Sequence, residues 1–212
     1  MAGHAATLSG DTSLLLPEFT APPADPFAVL QDWIEEAVRR EVREPLAVTL
    51  SSADAEGRAS SRVVLLKEVA ESGLLFGSHR ESRKGRDFAV QPWGSVTFYW
   101  RETLQQINLA GPVIPVNDAE SDLLFAARPP LAQATTAASQ QSRPLTDEAG
   151  LRAKAAELAA SQGPLTRPQG WGGYRLVPQE IEFWHGSADR LHRRLRYDRG
   201  SGQAWTSMRL QP

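Results

Sequence analysis

The 212-residue chain contains no cysteine, which excludes disulfide bonds, thiolate catalysis and cysteine-ligated metals. It also lacks an apolar run near the roughly 20 residues that span a bilayer, so we expect no membrane association. The N-terminus has neither the basic nor the apolar region of a secretory signal, and this predicts a cytoplasmic protein. Because the net charge is only −2, the composition predicts no general attraction to nucleic acid.

Several chemical signatures are missing as well. The four histidines show no ligand spacing with carboxylates, so we predict no metal site. Neither a Walker loop, a nucleophile elbow nor a GxGxxG dinucleotide motif occurs. The sequence therefore has to be interpreted from its cations, its aromatic residues and its strand pattern.

The pattern predicts a flexible N-terminal arm over residues 1–24, where Gly, Ser, Thr and Pro are common, and one domain over 25–212. Strand-like alternation and turn signals predict six to eight strands that close into an antiparallel barrel. Helical signals predict peripheral helices that start at Pro26, at Ser82, after Asn117 and near Leu151. We expect residues 135–142, which are small and polar, to form a loop.

The apolar run within Ser61–Lys67 predicts a buried strand with a cation near each end. Arg62 and Lys67 could mark an anion site, because an unpaired buried charge is costly. They could equally reach water or pair with nearby carboxylates. This segment alone favours the second interpretation.

Three further groups could carry chemistry. Ser82-Arg83-Lys84 opens a predicted helix, where backbone N–H groups and two cations favour an anion such as phosphate. Arg190–Arg194 places His192 among arginines, which could stabilise an anionic substrate or simply be a surface feature. Gln106 could bind the amide edge of a heterocycle, or it could face solvent.

Taken together, these segments resemble the pyridoxamine 5'-phosphate oxidase family. The matching segments follow one another in order over residues 25–212: 61–67, 82–84, Gln106, 140–143, 171–175, 181–184, 190–192 and Arg194. The resemblance implies a mainly β fold with α, an FMN-binding split β-barrel with peripheral helices. It also implies a homodimer with FMN at the interface.

The resemblance further implies residue roles. The residues expected to contact FMN are Arg62, Val63, Val64, Leu65, Leu66, Lys67, Ser78, Arg83, Lys84, Gln106, Gln141, Ser142, Trp184 and Arg194. The residues expected to face the substrate are Lys67, Arg128, Arg190 and His192, and Arg190 and His192 are the expected catalytic pair.

Two positions depart from the vitamin-forming members of the family, in which a lysine, a tyrosine, an arginine and a serine hold the substrate phosphate. Lys67 and Arg128 persist here, whereas Leu124 and Ala132 replace the two hydroxyl residues. Each lost hydrogen bond to a charged group costs about 1.5–3 kcal/mol, so we expect poor binding of pyridoxal-type phosphates. Two cations in a more apolar setting suit a flat aromatic carboxylate.

Residues 16–26, 42–45 and 99–106 resemble the phenazine-biosynthesis branch of the family. That resemblance implies an FMN-dependent oxidase that takes hydride from reduced (dihydro, tetrahydro or hexahydro) phenazine carboxylates and passes electrons to O2. A pyridoxine/pyridoxamine 5'-phosphate oxidase is the alternative within the family. A module without enzymatic activity, which binds flavin or a protein partner, is the alternative outside it.

Overall fold

The computed structural model describes residues 9–161, 163–200 and 204–212. Residues 1–8 of the predicted arm therefore lie outside the described residues. A short 3-10 helix at Pro17–Phe19 precedes five α-helices. These helices are α1 (Pro26–Arg39), α2 (Arg83–Val90), α3 (Asp118–Ala126), α4 (Pro130–Ala138) and α5 (Glu148–Ala160).

The described residues form ten strands, all paired antiparallel. They are β1 (Ala47–Ala53), β2 (Ala59–Leu65), β3 (Glu68–Ala70), β4 (Gly73–His79), β5 (Trp93–Trp100), β6 (Gln105–Pro115), β7 (Trp171–Leu176), β8 (Glu180–His185), β9 (Arg193–Arg199) and β10 (Trp205–Arg209).

Six pairings close the sheet into a ring. Strand β1 pairs with β2 and β5, β5 with β6, β6 with β7, β7 with β4, and β4 with β3. Strand β2 continues into β3 through Leu66 and Lys67, where the Lys67 N–H donates to the Leu75 carbonyl over 2.8 Å. The antiparallel barrel with peripheral helices is therefore confirmed, although the described residues form ten strands rather than the six to eight expected.

Strand β6 belongs to two sheets, and this gives the barrel its split form. Its first part, Gln105–Ala110, pairs with β8, whereas Val113–Pro115 pairs with β7. Strands β9 and β10 extend the sheet beyond β8. The extension carries His192 at the start of β9, far along the sheet from β2.

The core lies inside the barrel and beneath α1. Alternating residues of the strands point inward, including the fully buried Leu50 and Phe98. Helix α1 starts as predicted, with Asp25 accepting from the Phe27 N–H and proline at the first helical position. Its Trp33 ring lies 5.1 Å from Phe183 of β8, which ties the helix to the sheet extension.

Residues 9–24, the described part of the predicted arm, pack on the domain. Phe19 is buried against Trp33, and the Trp33 indole N–H donates to Glu18 over 2.5 Å. The Asp11 carbonyl lies 3.1 Å from Nε2 of the buried His185. These contacts anchor the segment to α1 and to the sheet extension.

Three expectations about elements were wrong. Strand β2 is not buried: its residues alternate between exposed and half-buried, so within one chain only one face of the strand is partly covered. Residues 135–138 belong to helix α4 rather than to a loop, since alanine-rich sequence with proline at the first position favours helix. Strand β9 was missed because charged residues dominate it, while Leu195 and Tyr197 alone face the core.

Candidate functional site

A cleft of about 350 Å³ lies against the outer side of β2 and β4. Its lining residues include Arg62, Val63, Val64, Leu65, Lys67, Gly77, Lys84, Leu124, Arg128, Gln141 and Trp171. Four of them are cations, and the lining contains no carboxylate. Segments that are remote in the chain therefore converge on one strongly electropositive cleft.

Arg62 is oriented by hydroxyl groups on the neighbouring strands. Its guanidinium donates to Ser52 Oγ over 2.8 Å and to Ser60 Oγ over 2.6 Å. The same two hydroxyls donate to Asp87 Oδ2, which lies 4.0 Å from the guanidinium. Burial lowers the pKa of Arg62 and Asp87 opposes this shift, so the arginine stays charged and its orientation is fixed.

The N-terminus of α2 forms the next part of the site. Ser82 caps the helix, as predicted, and its Oγ accepts from the Gly85 N–H. Lys84 Nζ lies 3.3 Å from Ser82 Oγ and 3.5 Å from Gln141 Oε1. Four N–H groups at a helix start lack helical partners, so hydroxyls and cations gathered here suit an anion.

Lys84 is almost completely buried, with 7% of its surface exposed. Burial, reinforced by the charge of Arg62, lowers the pKa of Lys84 to about 8. Within the described part of the chain, Lys84 forms no ion pair. A buried ammonium without an anion is costly, so a bound anion would both stabilise it and raise its pKa.

Ser142 joins this group from the loop before α5. Its hydroxyl accepts from the Arg83 N–H over 3.2 Å, and its backbone has a positive φ of 72°. Such a conformation is uncommon for residues other than glycine and is often found at binding sites. Ser78 completes the cluster, with its Oγ 3.2 Å from Ser82 Oγ and 3.4 Å from Gln141 Oε1.

Lys67 and Arg128 line the same cleft, together with Leu124 and Trp171. The Arg128 guanidinium lies over the Trp171 ring, 5.0 Å from its centroid, and burial lowers the pKa of Arg128. Among the described residues neither cation forms an ion pair. Leu124 adds an apolar wall beside them, whereas Ala132 lies on α4 and does not line the cleft.

Four other predicted residues form a separate cluster on β6, β8 and the start of β9. Gln106 pairs with Trp184 across the sheet, and Trp184 pairs with Arg194. The Trp184 and His192 rings lie 4.8 Å apart. Arg194 makes two hydrogen bonds to Glu182, of 2.7 and 3.0 Å, which raise its pKa.

The loop between β8 and β9 determines which ring nitrogen of His192 carries the proton in the neutral form. Its Nδ1 accepts a hydrogen bond of 3.1 Å from the Ser187 N–H, so in the neutral ring the proton lies on Nε2. Arg190 is exposed and has a positive φ of 69°. Neither residue lines the cation cleft within one chain.

The structure thus brings Arg62, Lys67, Lys84, Arg128 and Gln141 together and leaves the cluster around Trp184 apart. Sequence reasoning missed the orienting group of Ser52, Ser60 and Asp87, because its members come from separate elements. It also missed Gly77 and Trp171 as lining residues. Trp171 lay within a recognised segment, but nothing in the sequence singled out Gly77.

A larger cavity of about 570 Å³ lies between residues 13–18 and α1. Both arginines in its lining, Arg39 and Arg40, pair with Glu36, and the remaining charged groups of the lining are carboxylates. The smaller cleft is the better candidate site because, among the described residues, Lys67, Lys84 and Arg128 form no ion pair and only Arg62 has a carboxylate, Asp87, nearby. In the described ranges, no helix has the length and apolarity to cross a bilayer, and no metal-type cluster of acidic and histidine residues occurs.

Comparison with protein families gives two matches that together cover most of the chain. Residues 34–162 match the family model described as pyridoxamine 5'-phosphate oxidase. Residues 171–212 match the model described as the pyridoxine 5'-phosphate oxidase C-terminal dimerisation region. The first match contains Gln106 and the cation cleft, except for Trp171, and the second contains Trp184, His192 and Arg194.

Individual relatives fall into two kinds. The chain is 44% identical over 210 residues to the dihydrophenazinedicarboxylate synthase of Pseudomonas chlororaphis, covering 99% of this chain and 94% of that protein. It is 42% identical over 189 residues to the pyridoxine/pyridoxamine 5'-phosphate oxidase of Paraburkholderia phymatum, covering 89% of each. The crystal structure of PhzG from Burkholderia lata 383, in complex with tetrahydrophenazine-1-carboxylic acid, matches with a TM-score of 0.93 and 44% identity, covering 96% of this chain and all of that one.

Proposed function

Since the chain belongs to the pyridoxamine 5'-phosphate oxidase family, we propose that it is an FMN-dependent oxidase of reduced tricyclic aromatic carboxylates of the phenazine type. The observation that carries the proposal is the cleft in which Arg62, Lys67, Lys84 and Arg128 gather without a carboxylate. Such a cleft favours anions, and the two proposed ligands supply a phosphate and a carboxylate.

The residues present fit FMN. The hydroxyls and cations around the α2 N-terminus, including Ser78, Arg83 and Ser142, suit its phosphate, and the buried charge of Lys84 would be neutralised by it. The exposed apolar side chains of Val63 and Leu65 suit an aromatic ring system. When bound, FMN would be the hydride acceptor, and O2 would then take up the electrons.

The second cluster is proposed to complete the site from a partner copy of the chain. Gln106, Trp184, His192 and Arg194 are absent from the cleft of their own chain. The match of residues 171–212 to a dimerisation region supports a homodimer. In a two-fold dimer, each copy would receive this cluster from the other.

The substrate would lie with its carboxylate at Lys67 and Arg128. A guanidinium presents parallel N–H donors to a carboxylate, and no protein acceptor among the described residues competes for those of Arg128. Arg190 and His192 of the partner copy would contact the ring from the other side. The proton on His192 Nε2 would be available as a hydrogen-bond donor to a ring nitrogen or a carboxylate.

Oxygen consumption tests the substrate assignment. We expect FMN-loaded protein to consume O2 with reduced phenazine carboxylates, and to do so with a far higher kcat/KM than with pyridoxine 5'-phosphate. The reason is that Leu124 cannot donate the hydrogen bond that a phosphate would need beside Arg128. A preference for pyridoxine 5'-phosphate would overturn the assignment.

The vitamin B6 activity is the second candidate, and the 42% identity to a pyridoxine/pyridoxamine 5'-phosphate oxidase favours it. The variant Leu124→Tyr/Ala132→Ser separates the two. If the phenazine assignment holds, it raises kcat/KM for pyridoxine 5'-phosphate by about tenfold or more, as one restored charged hydrogen bond implies. An unchanged value would mean that the native site already binds the phosphate fully.

A further inference from the structure

Arg128 is held in the cleft by an unusual arrangement. Its backbone is fixed, because the Gln133 amide donates to the Arg128 carbonyl over 2.8 Å. Its guanidinium, however, makes no hydrogen bond or ion pair to any described residue and lies only over the Trp171 ring, 5.0 Å away. A guanidinium attracted to an aromatic face is restricted in position while its N–H groups stay available in the plane.

Trp171 is itself fixed on several sides. It is 3% exposed, its ring packs edge-on against Phe125 at 5.4 Å, and its carbonyl accepts from Arg167 over 2.6 Å. On the strand side it covers Gly77, where a Cβ would lie only 2.4 Å from the ring. The glycine therefore allows the ring to lie against β4, and both residues line the cleft.

We infer that Trp171 is a positioning and specificity residue, which holds the Arg128 guanidinium by its aromatic face so that a pair of its N–H donors is directed to the substrate carboxylate. The inference rests on the proposed function, because it concerns the residue that binds the substrate anion. Gly77 is part of the same arrangement, because any side chain at this position would displace the Trp171 ring.

The pairing of Arg128 with an aromatic face suits a planar acid. A hydroxyl neighbour would share a phosphate with the arginine, whereas Leu124 adds no hydrogen-bond donor to those of Arg128 and Lys67. Its planar N–H pair matches the two oxygens of a carboxylate. The preference for a carboxylate over a phosphate would therefore come from the orientation of the Arg128 guanidinium rather than from the number of polar contacts.

Equilibrium binding of phenazine-1-carboxylate and of unsubstituted phenazine to the FMN-loaded protein tests this. Trp171→Leu keeps an apolar side chain and removes the aromatic face, and Trp171→Phe keeps a smaller face. We expect Trp171→Leu to weaken the carboxylate about 3- to 30-fold, in line with a partly desolvated cation–π contact, and Trp171→Phe to weaken it less. Binding of unsubstituted phenazine should change little.

A double-mutant cycle distinguishes a positioning role of Trp171 from a general loss of structure in the Trp171 variants. In an Arg128→Met background, Trp171→Leu should have no further effect on carboxylate affinity, because the residue through which Trp171 acts is gone. Equal effects in both backgrounds, or equal losses for phenazine and its carboxylate, would overturn the inference. Gly77→Ala provides a second variant that retains Trp171 and should reproduce the carboxylate-specific loss.

Trp205→Phe is the matched control. Trp205 also carries an arginine over its ring, Arg199 at 5.5 Å, but it lies on β10 outside the cleft. It should leave both affinities unchanged. If the unmodified protein bound neither phenazine nor its carboxylate, the proposed function would fail; if it bound both and the Trp171 variants matched it, only the present inference would fail.

Discussion

At the scale of single residues, the orientation of Arg62 depends on Ser52, Ser60 and Asp87, which come from three different elements. Arg62, Lys84 and Arg128 were recognised because their motifs resemble a known family, and the structure places all three in one cleft. The hydroxyl of Ser52 and the carboxylate of Asp87, which fix Arg62, could not be inferred. They approach Arg62 through strand pairing and helix docking, which no local pattern encodes.

Lys84 makes flavin binding depend on pH. Because burial lowers its pKa to about 8, the free protein loses this charge as the pH rises through that value. A bound phosphate would raise the pKa, so affinity should be constant below pH 8 and should weaken above it by up to about tenfold per pH unit. Quenching of flavin fluorescence from pH 6.5 to 9.5 measures this.

Two substitutions control that experiment. Lys84→Arg keeps a charge that does not titrate in this range, so its affinity should lose the decline above pH 8. Lys84→Met should bind weakly throughout. A flat profile in the unmodified protein would show that the charge of Lys84 does not contribute to binding. For folding the sign is opposite: the unfolded chain binds the proton more tightly, so stability gains from this group between about pH 8 and 10.5.

At the scale of elements, clear local signals predicted the helix starts correctly. Features that depend on tertiary packing could not be predicted in this way. The caps Asp25, Ser82 and Asn117 each accept a backbone hydrogen bond as expected. The burial of strand β2 was overestimated, because four aliphatic residues in a row do not reveal whether both faces of the strand will be covered by other elements. Strand β9 was missed because only Leu195 and Tyr197 face the core among its charged residues.

The cap of α2 should serve both the helix and the anion site. Ser82→Ala removes the acceptor for the Gly85 N–H and the hydroxyl beside Lys84, so we expect a loss of about 0.5–2 kcal/mol in the free energy of unfolding. Flavin affinity should fall as well. Asp25→Ala is the control, because it removes an equivalent cap from α1, which does not line the cleft.

Denaturant unfolding and flavin titration of the two cap variants give the comparison. Both should lose stability by a similar amount, and only Ser82→Ala should lose affinity. A similar loss of affinity in both variants would mean that the α2 cap acts through stability alone.

At the scale of the whole molecule, the barrel and four of the five α-helices in the described residues could be predicted from the sequence pattern, but the division of the site could not. Two residue groups that resemble parts of one binding site lie apart on the same chain, in the cleft and around Trp184. The exposed apolar residues of β2, Val63 at 71% and Leu65 at 52%, are what a partner surface and a ring system would cover.

A charge on this strand should prevent assembly. We expect Leu65→Asp to shift the protein from dimer to monomer in sedimentation analysis and to abolish flavin binding, because an aspartate at the interface would lose its hydration. Val38→Asp is the control: Val38 is 59% exposed on α1, outside the cleft, and this change should preserve the dimer. A dimeric Leu65→Asp protein would refute the interface.

The closure of the barrel at Leu66 and Lys67 has a mechanical consequence. The Leu66 N–H donates to Leu46 on one side of the ring, and the next N–H, that of Lys67, donates to Leu75 on the other. Two successive backbone N–H groups thus bind opposite sides of the barrel, and the Lys67 side chain leaves the backbone at this point. A shift of one side of the barrel relative to the other would therefore move the Lys67 side chain. Its position in the cleft depends on the whole barrel rather than on its own strand alone.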